Sequence, residues 1–446
     1  MLVAACKNSL LIFSLFVLPV LPMLARTAAE DWPQFRGPRG DGSSLATDLP
    51  ISWGGMFDTP KWKTTLPGRG WSSPVVSGKR IWLTSAESTA MVEHRVEELL
   101  ENSPHGALDF QTVESVSLLA VEVDADTGVI TNQLTLATIT NPLPIHTQNS
   151  YASPTPILEG DKLYCHFGSL GTFCVDLNTY KPLWQVVLAI GDITGSGSTP
   201  VLLNGMLIVP CDGADEQYLI ALDALSGKVK WKTARPTMAT DKADLKRAFS
   251  TPLVVQYGGR TQVLSTTAQW LVSYNPEDGS EWWRSKIGTG YSLIPRPVSR
   301  DGIAFVCSGY MKPSLFAIRI DGTGDVSQSH LVWTRSRQVP EISSPVVSNG
   351  KLFCVSAFGV ATCLRASDGQ QLWQHRLPGT YSASPMIAAG NIYFTSQSGI
   401  TTIVSNEDTY REIAQCELFG ETYASLAVLD QDILIRTHPI LYRIGK

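Results

Sequence analysis

The sequence predicts an all-β chain folded as an eight-bladed β-propeller of four-stranded antiparallel blades, its ring closed by an N-terminal strand. Three observations predict it. A two-strand element recurs eight times, a turn motif ending in tryptophan recurs between its copies, and the last copy lacks a strand that the N-terminal region supplies. The 446 residues include 36 Gly, 27 Pro, 43% hydrophobic and 17% charged side chains, a balance that suits short strands joined by many turns.

The two-strand element reads SSPVVSGKRIWLT from Ser72, ASPTPILEGDKLYCHF from Ala152, STPVLLNGMLIVP from Ser198 and STPLVVQYGGRTQVLS from Ser250. It continues as IPRPVSRDGIAFVC from Ile294, SSPVVSNGKLFCV from Ser343, ASPMIAAGNIYFT from Ala383 and ASLAVLDQDILIRT from Ala424. Each copy is a short apolar strand, a Gly, Asn or Asp turn, and a second apolar strand. Blades therefore start near residues 71, 150, 196, 248, 291, 341, 381 and 423. A period of this size means stacked repeats, because one four-stranded sheet buries both faces only between neighbours.

The turn motif is ALDALSGKVKW at 221–231, with Asp223 and Gly227 shaping a turn and Trp231 filling the space between blades. Related stretches place Trp184, Trp283, Trp333 and Trp373 in the same role, while VDADTG at 123–128 keeps the turn but has Asn132 where the tryptophan should fall. The eighth copy ends at PILYRIGK, one strand short. PKWKTTLPG supplies that strand, so residues 61–66 with Trp62 complete the last blade and 61–446 form one domain. Residues 86–117 form an insertion in blade 1, in which VEHRVEELLEN has the period of a short amphipathic helix. Residues 233–247 form a polar link between blades 3 and 4.

Residues 1–29 read as a signal peptide, with Lys7 ahead of an apolar stretch and a small-residue site at Thr27-Ala28-Ala29. They lead to an N-terminal segment over 30–60. The expectation is export to the periplasm or the exterior, with no membrane span after cleavage. Val3-Ala4-Ala5-Cys6 spells a lipobox but precedes the apolar stretch instead of following it.

Seven cysteines follow the leader. Cys165 and Cys174 share the separation of Cys354 and Cys363, which allows two readings: a disulfide across a hairpin if the turn has two residues, or small buried side chains. The net charge of -5, without clustered Lys and Arg, excludes a nucleic-acid footprint. No His-Glu-x-x-His pair, EF-hand loop or Gly-x-Ser-x-Gly elbow occurs, so no catalytic or metal residue is assigned.

An aromatic residue stands just before the Ser-Pro element in many copies: Trp71, Tyr151, Phe249, Tyr291, Tyr381 and Tyr423. First strands line the channel, so these side chains form a partial ring at one mouth, near Arg69, His146, Asn149, Arg247 and Arg296. Such a ring suits a sugar, a quinone or a peptide, and packing of the channel itself accounts for it equally.

These motifs, with DWPQFRGPRGDG at 31–42, GRGWSSPVV at 68–76, NSYASPTP at 149–156 and YSASP at 381–385, resemble the PQQ-binding-like β-propeller repeat family. That family includes quinoprotein alcohol dehydrogenases and the assembly lipoprotein BamB, and the chain looks like the exported propellers of planctomycetes. The resemblance covers essentially all of the mature chain and is specific for fold, whereas one propeller hosts unrelated activities. It implies three functions. The first is a monomeric, non-enzymatic propeller without cofactor that binds a protein, a glycan or a small molecule. The second is a PQQ- and calcium-dependent oxidoreductase of alcohols or sugars, against which stands the lack of adjacent cysteines and of a Cys-x-x-Cys-His haem motif. The third is a BamB-like envelope assembly scaffold.

Overall fold

The computed structural model describes residues 30–55, 60–90, 110–191 and 194–446; the expected leader and the helical stretch of the blade 1 insertion lie outside them. Eight blades of four antiparallel strands follow one another, seven of them built from strands taken in chain order. The eighth combines Ala427–Leu429, Asp432–Arg436 and Ile440–Ile444 with Trp62–Thr65, which pairs Trp62 with Arg443 and Thr65 with Ile440. The ring is therefore an eight-bladed propeller closed by an N-terminal strand, as the repeats predict. Each first strand runs along the channel from an upper face, where it begins, to a lower face, where a tight turn leads into the second strand.

Blade seams explain the turn motif. In blade 3 the carboxylate of Asp223 accepts the Ser226 amide at 2.9 Å, which shapes the turn and holds Asp223 below the usual carboxylate range, the Ser226 hydroxyl contributing most. Gly227 follows at φ +68°, a left-handed conformation that glycine adopts without steric cost. A Cβ at Gly227 would lie 2.8 Å from the Trp184 ring of the preceding blade, and Trp184 Nε1 donates to Ala224 O at 3.0 Å. Trp62 on Ala125, Trp231 on Pro276 and Trp333 on Ala366 repeat the arrangement. Each tryptophan thus lies flat over the glycine of the next blade and is pinned by its turn.

Two of the seams that depart from this pattern show how the space is filled otherwise. Where Asn132 replaces the tryptophan of blade 1, Tyr180 stands at the glycine position of blade 2 and reaches back, its hydroxyl 3.1 Å from buried Glu122. The large and small partners have changed sides. In blade 4, Trp283 donates to Gln262 of its own blade at 3.0 Å, because blade 5 replaces the tight turn with a loop whose Gly324–Asp325 adds a parallel fifth strand.

The Ser/Thr-Pro dipeptides form a belt around the channel. The amide of Ser73 donates to Thr155 Oγ1 of the next blade, Thr155 to Thr199 and Thr199 to Thr251. Arg296 donates to Ser344, Ser344 to Ser384, Ser384 to Ser425 and Ser425 back to Ser73, all seven bonds lying between 2.9 and 3.1 Å. In every blade but the eighth, where Leu426 follows Ser425, the next residue is a proline, which carries no amide of its own and whose fixed φ keeps the dipeptide extended. One step is missing: Thr251 faces Arg296, which has no hydroxyl to offer.

Residues 30–50 occupy part of the lower channel, against blades 1, 2, 6 and 7. Trp32 pairs both ways with Val76 of blade 1, Pro33 O accepts the Leu158 amide of blade 2, and Ile387 of blade 7 bonds Gly42 and Ser44. Trp32 is 1% exposed and joins the core cluster shared by blades 7, 8 and 1. Arg36 Nη2 donates to Pro345 O and Asp41 O, both at 2.7 Å, while Arg296 donates to Phe35 O and Pro252 O at 3.0 Å. Arg296 thus occupies the gap in the belt and grips the inserted segment. Burial lowers Arg36 to about 10 and Arg296 to about 9, the latter also through Arg36, so both guanidinium groups stay charged at neutral pH.

All seven described cysteines are buried, and no disulfide joins any two of them. Cys165 lies opposite Phe173 and Cys354 opposite Thr362, so neither proposed partner, Cys174 or Cys363, is cross-strand from it. The loops between these strands exceed two residues and shift the register by one, which turns each pair to opposite faces of the sheet.

Candidate functional site on the upper face

The upper face carries the loops between second and third strands and the links between blades. All six aromatics anticipated at the mouth belong to it, but most are tied down. Trp71 stacks on Tyr423 with centroids 4.4 Å apart, the Arg69 guanidinium lies 4.8 Å from the Trp71 ring, and Trp71 Nε1 donates to Gln148 O. His438 meets the same ring edge-on at 6.0 Å, and burial followed by the charge of Arg69 lowers its imidazole. Tyr151 donates its hydroxyl to Leu143 O and Tyr381 to Pro378 O, each closing the link that leads into its own blade. Tyr291 instead meets Tyr310 edge-on at 6.0 Å and stays half-buried.

The polar residues divide. Arg69 and His146 are half-buried near blades 1 and 2, and Asn149 Nδ2 donates to Thr194 O at 2.9 Å across the next link. Arg247 is buried against Asp244 at 3.1 Å, and Arg296 grips the inserted segment. The structure therefore gathers Arg69, Trp71 and Tyr423 into one cluster and keeps Arg247 and Arg296 away from solvent.

Phe249 lines a cleft between blades 2, 3 and 4 with His166, Ser196, Ser198 and Asp212, about 320 Å³ of empty space including its open mouth. Beneath it the Asp212 carboxylate receives Arg235 at 2.7 and 2.9 Å and the Thr267 hydroxyl at 3.0 Å. Burial alone would lower Arg235, but Asp212 raises it above its ordinary value, while burial outweighs Arg235 and raises Asp212; the pair forms a polar knot that also holds Tyr274 and Ser265. Among the described residues no three His, Cys, Asp or Glu gather as a metal site.

His166 bonds Thr172 Oγ1 at 2.8 Å through Nδ1, and burial pulls its imidazole down to about 4. An unfolded histidine titrates near 6.5, so below that value the unfolded chain takes up the proton first. The stability is therefore full above pH ~6.5 and is lost as pH falls toward 4, by about 3 kcal/mol for this group. His166→Asn will flatten the fall in unfolding free energy between pH 6.5 and 4 in denaturant titrations. An unchanged slope would assign the acid loss to other groups.

What the aromatic pattern did not reveal is a set of loop tips. Tyr310, Met311, Phe358 and Phe419 are 56%, 66%, 67% and 78% exposed, all on the upper face above blades 5 to 8. Phe358 and Phe419 each precede a glycine inside a polar loop, as Ala-Phe-Gly and Leu-Phe-Gly, a signal that was legible.

The family model described as outer membrane protein assembly factor BamB matches residues 121–324 and 324–412. The Yersinia pestis protein of that name is 24% identical over 241 residues, covering 50% of this chain; the match spans 56% of that relative, little more than half its length. The solved structure of BamB from Moraxella catarrhalis superposes with a TM-score of 0.54 at 15% identity, over 73% of this chain and 93% of that one. A europium-containing methanol dehydrogenase gives 0.62 at 11% identity, over 91% and 89% of the two chains. The quinohemoprotein alcohol dehydrogenase ADHIIG from Pseudomonas putida HK5 gives 0.57 at 11% identity, over 91% and 75%. At these identities the structural likeness establishes the fold and leaves the chemistry to the site.

Proposed function

Because the chain belongs to the propeller family described as outer membrane protein assembly factor BamB, we propose that it is an exported, non-catalytic binding propeller whose upper face holds a protein partner. The observation that carries this reading is the set of exposed loop tips, Tyr310, Met311, Phe358 and Phe419, standing on one face of a ring whose opposite mouth is partly occupied by its own chain. Exposed aromatic and methionine side chains grouped on one face are the anchors of protein interfaces. Among the described residues no helix is long and apolar enough to cross a membrane.

A PQQ-type cofactor on the channel axis does not fit these residues. The belt from Ser73 to Ser425 is buried, Arg36 and Arg296 take the space inside it, and no two cysteines are adjacent. Two experiments test the reading. Titration with PQQ and Ca²⁺ will leave tryptophan fluorescence unquenched and produce no dye reduction with alcohols or sugars; saturable quenching with turnover would overturn it. A photo-crosslinking residue at position 358 or 419 will trap discrete protein adducts in cells, whereas one at Tyr257, 42% exposed on the lower face, will not. Equal labelling from all three positions would refute a specific upper-face partner.

A further inference from the structure

The lower mouth holds a docking edge twice, and the inserted segment uses only one of the two. Ser-Ser-Pro-Val-Val-Ser occurs at 72–77 and again at 343–348, each time opening a first strand, Val75–Ser77 in blade 1 and Val346–Ser348 in blade 6. Both tripeptides pair in the same register with their second strands, Ser77 opposite Arg80 and Ser348 opposite Lys351 at a two-residue turn. By the alternation of an antiparallel ladder, the amide and carbonyl of the central valine then point into the channel.

In blade 1 those groups are taken. Trp32 N donates to Val76 O at 3.0 Å, Val76 N donates to Trp32 O at 2.8 Å, and the Asp31 carboxylate accepts Ser77 Oγ and the Gly78 amide, both at 2.9 Å. Val76 is accordingly 1% exposed. In blade 6 the equivalent Val347 and Ser348 are half-exposed; Ser348 Oγ accepts Asn406 Nδ2 at 3.1 Å and keeps its own proton to donate, and among the described residues the Val347 amide and carbonyl carry no hydrogen bond outside their own sheet. The resident segment borders this edge without covering it: Arg36 bonds Pro345 O, and a Cβ on Gly42 would lie 3.1 Å from Val346. Leu202, Val254 and Ser299, at the same place in blades 3 to 5, are half-exposed as well.

We infer that the Val346–Ser348 edge is a second docking site, for an extended peptide of a partner protein that carries an acidic residue followed by a large aromatic. The occupant is defined by the seated example. Its aromatic residue exchanges two main-chain hydrogen bonds with Val347, and its carboxylate caps Ser348 Oγ and the Asn349 amide, as Asp31 and Trp32 do on the identical tripeptide. The mode is strand addition: main-chain bonds supply affinity and the acidic–aromatic pair supplies selectivity. This site lies at the mouth opposite the exposed loop tips and stands without the reading proposed for them.

The probe is a fluorescently labelled synthetic peptide with the sequence of residues 30–38, added to the intact protein. Fluorescence anisotropy is expected to show one saturable site, weakened tenfold or more when the peptide carries Trp32→Ala or Asp31→Asn. In the protein, Val347→Pro removes the amide aimed into the channel while the ladder bonds of Val346 and Ser348 remain, and the same loss is expected. Hydrogen exchange on the unaltered protein answers without any variant: the Val347 amide gains protection when the peptide is present. Absence of saturable binding, or binding with no added protection at Val347, overturns the inference, the second outcome meaning exchange with the resident segment at blade 1.

Discussion

Trp32→Ala will lower the unfolding free energy by about 3–5 kcal/mol, the range for emptying a buried tryptophan site. The ring of Trp32 is 1% exposed within the cluster that joins Val76 and Ile81 of blade 1 to Leu429 and Ile433 of blade 8. The loss falls on the closure itself, because that cluster also packs the N-terminal strand carrying Trp62. Main-chain bonds to Val76 survive the substitution in principle, but two bonds do not hold a segment whose side chain no longer fills its place. Residues 30–50 therefore become the first region cut in limited proteolysis, ahead of any blade. Stability measured by denaturant and the order of cleavage sites together check the result; a variant cut first between blades would show that the inserted segment is dispensable to closure.

Gly279→Ala is expected to cost about 3 kcal/mol or more, and Gly350→Ala only the backbone part of that. Both glycines adopt φ +71°, where an L-residue pays about 1–2 kcal/mol. At Gly350 a Cβ meets nothing within 4 Å, whereas at Gly279 it lies 2.4 Å from Trp231 Cε3 and 2.6 Å from Cδ2. The ring must leave its seat, and the bond from Trp231 Nε1 to Pro276 O at 3.0 Å goes with it. The difference between the two alanine variants therefore isolates packing at the seam from conformational strain. Equal unfolding free energies would mean that the indole shifts freely and that the glycine is required for its backbone alone.

Residue identities carried the seams and the ring. Asp223, Gly227 and Trp231 are visible in a sequence because each answers a local demand: a capped turn, a left-handed backbone and a flat filler. Closure was equally visible, since a missing strand at the C-terminus and a spare Trp62 strand near the start are complementary. The inserted segment was not. Residues 30–50 dock through main-chain groups on Val76, Leu158 and Ile387, and main-chain partners leave no periodic pattern to read. Arg296 shows the same limit from the other side. Its place near an aromatic ring suggested a ligand contact, although it is the one residue in its column of the repeats that is neither Ser nor Thr, and that exception points to its grip on Phe35. Of the aromatics anticipated at the mouth, Trp71, Tyr151 and Tyr381 are bonded to neighbouring chain because their polar atoms find carbonyls in the links between blades, which their place in the repeat does not reveal.

The gap that Arg296 leaves in the hydroxyl belt has a consequence for how the chain finds its register. A ring of eight near-identical wedges is almost degenerate under rotation, so an incoming tail meets eight similar berths, two of them with the same tripeptide. A guanidinium at a single wedge removes that degeneracy, because only one rotational setting brings Phe35 O to Arg296 while Trp32 reaches Val76. It works as a keyway does in a shaft, fixing orientation by one interruption in an otherwise uniform circle. Repetition makes the barrel cheap to build, and a lone irregularity tells its two ends where to meet.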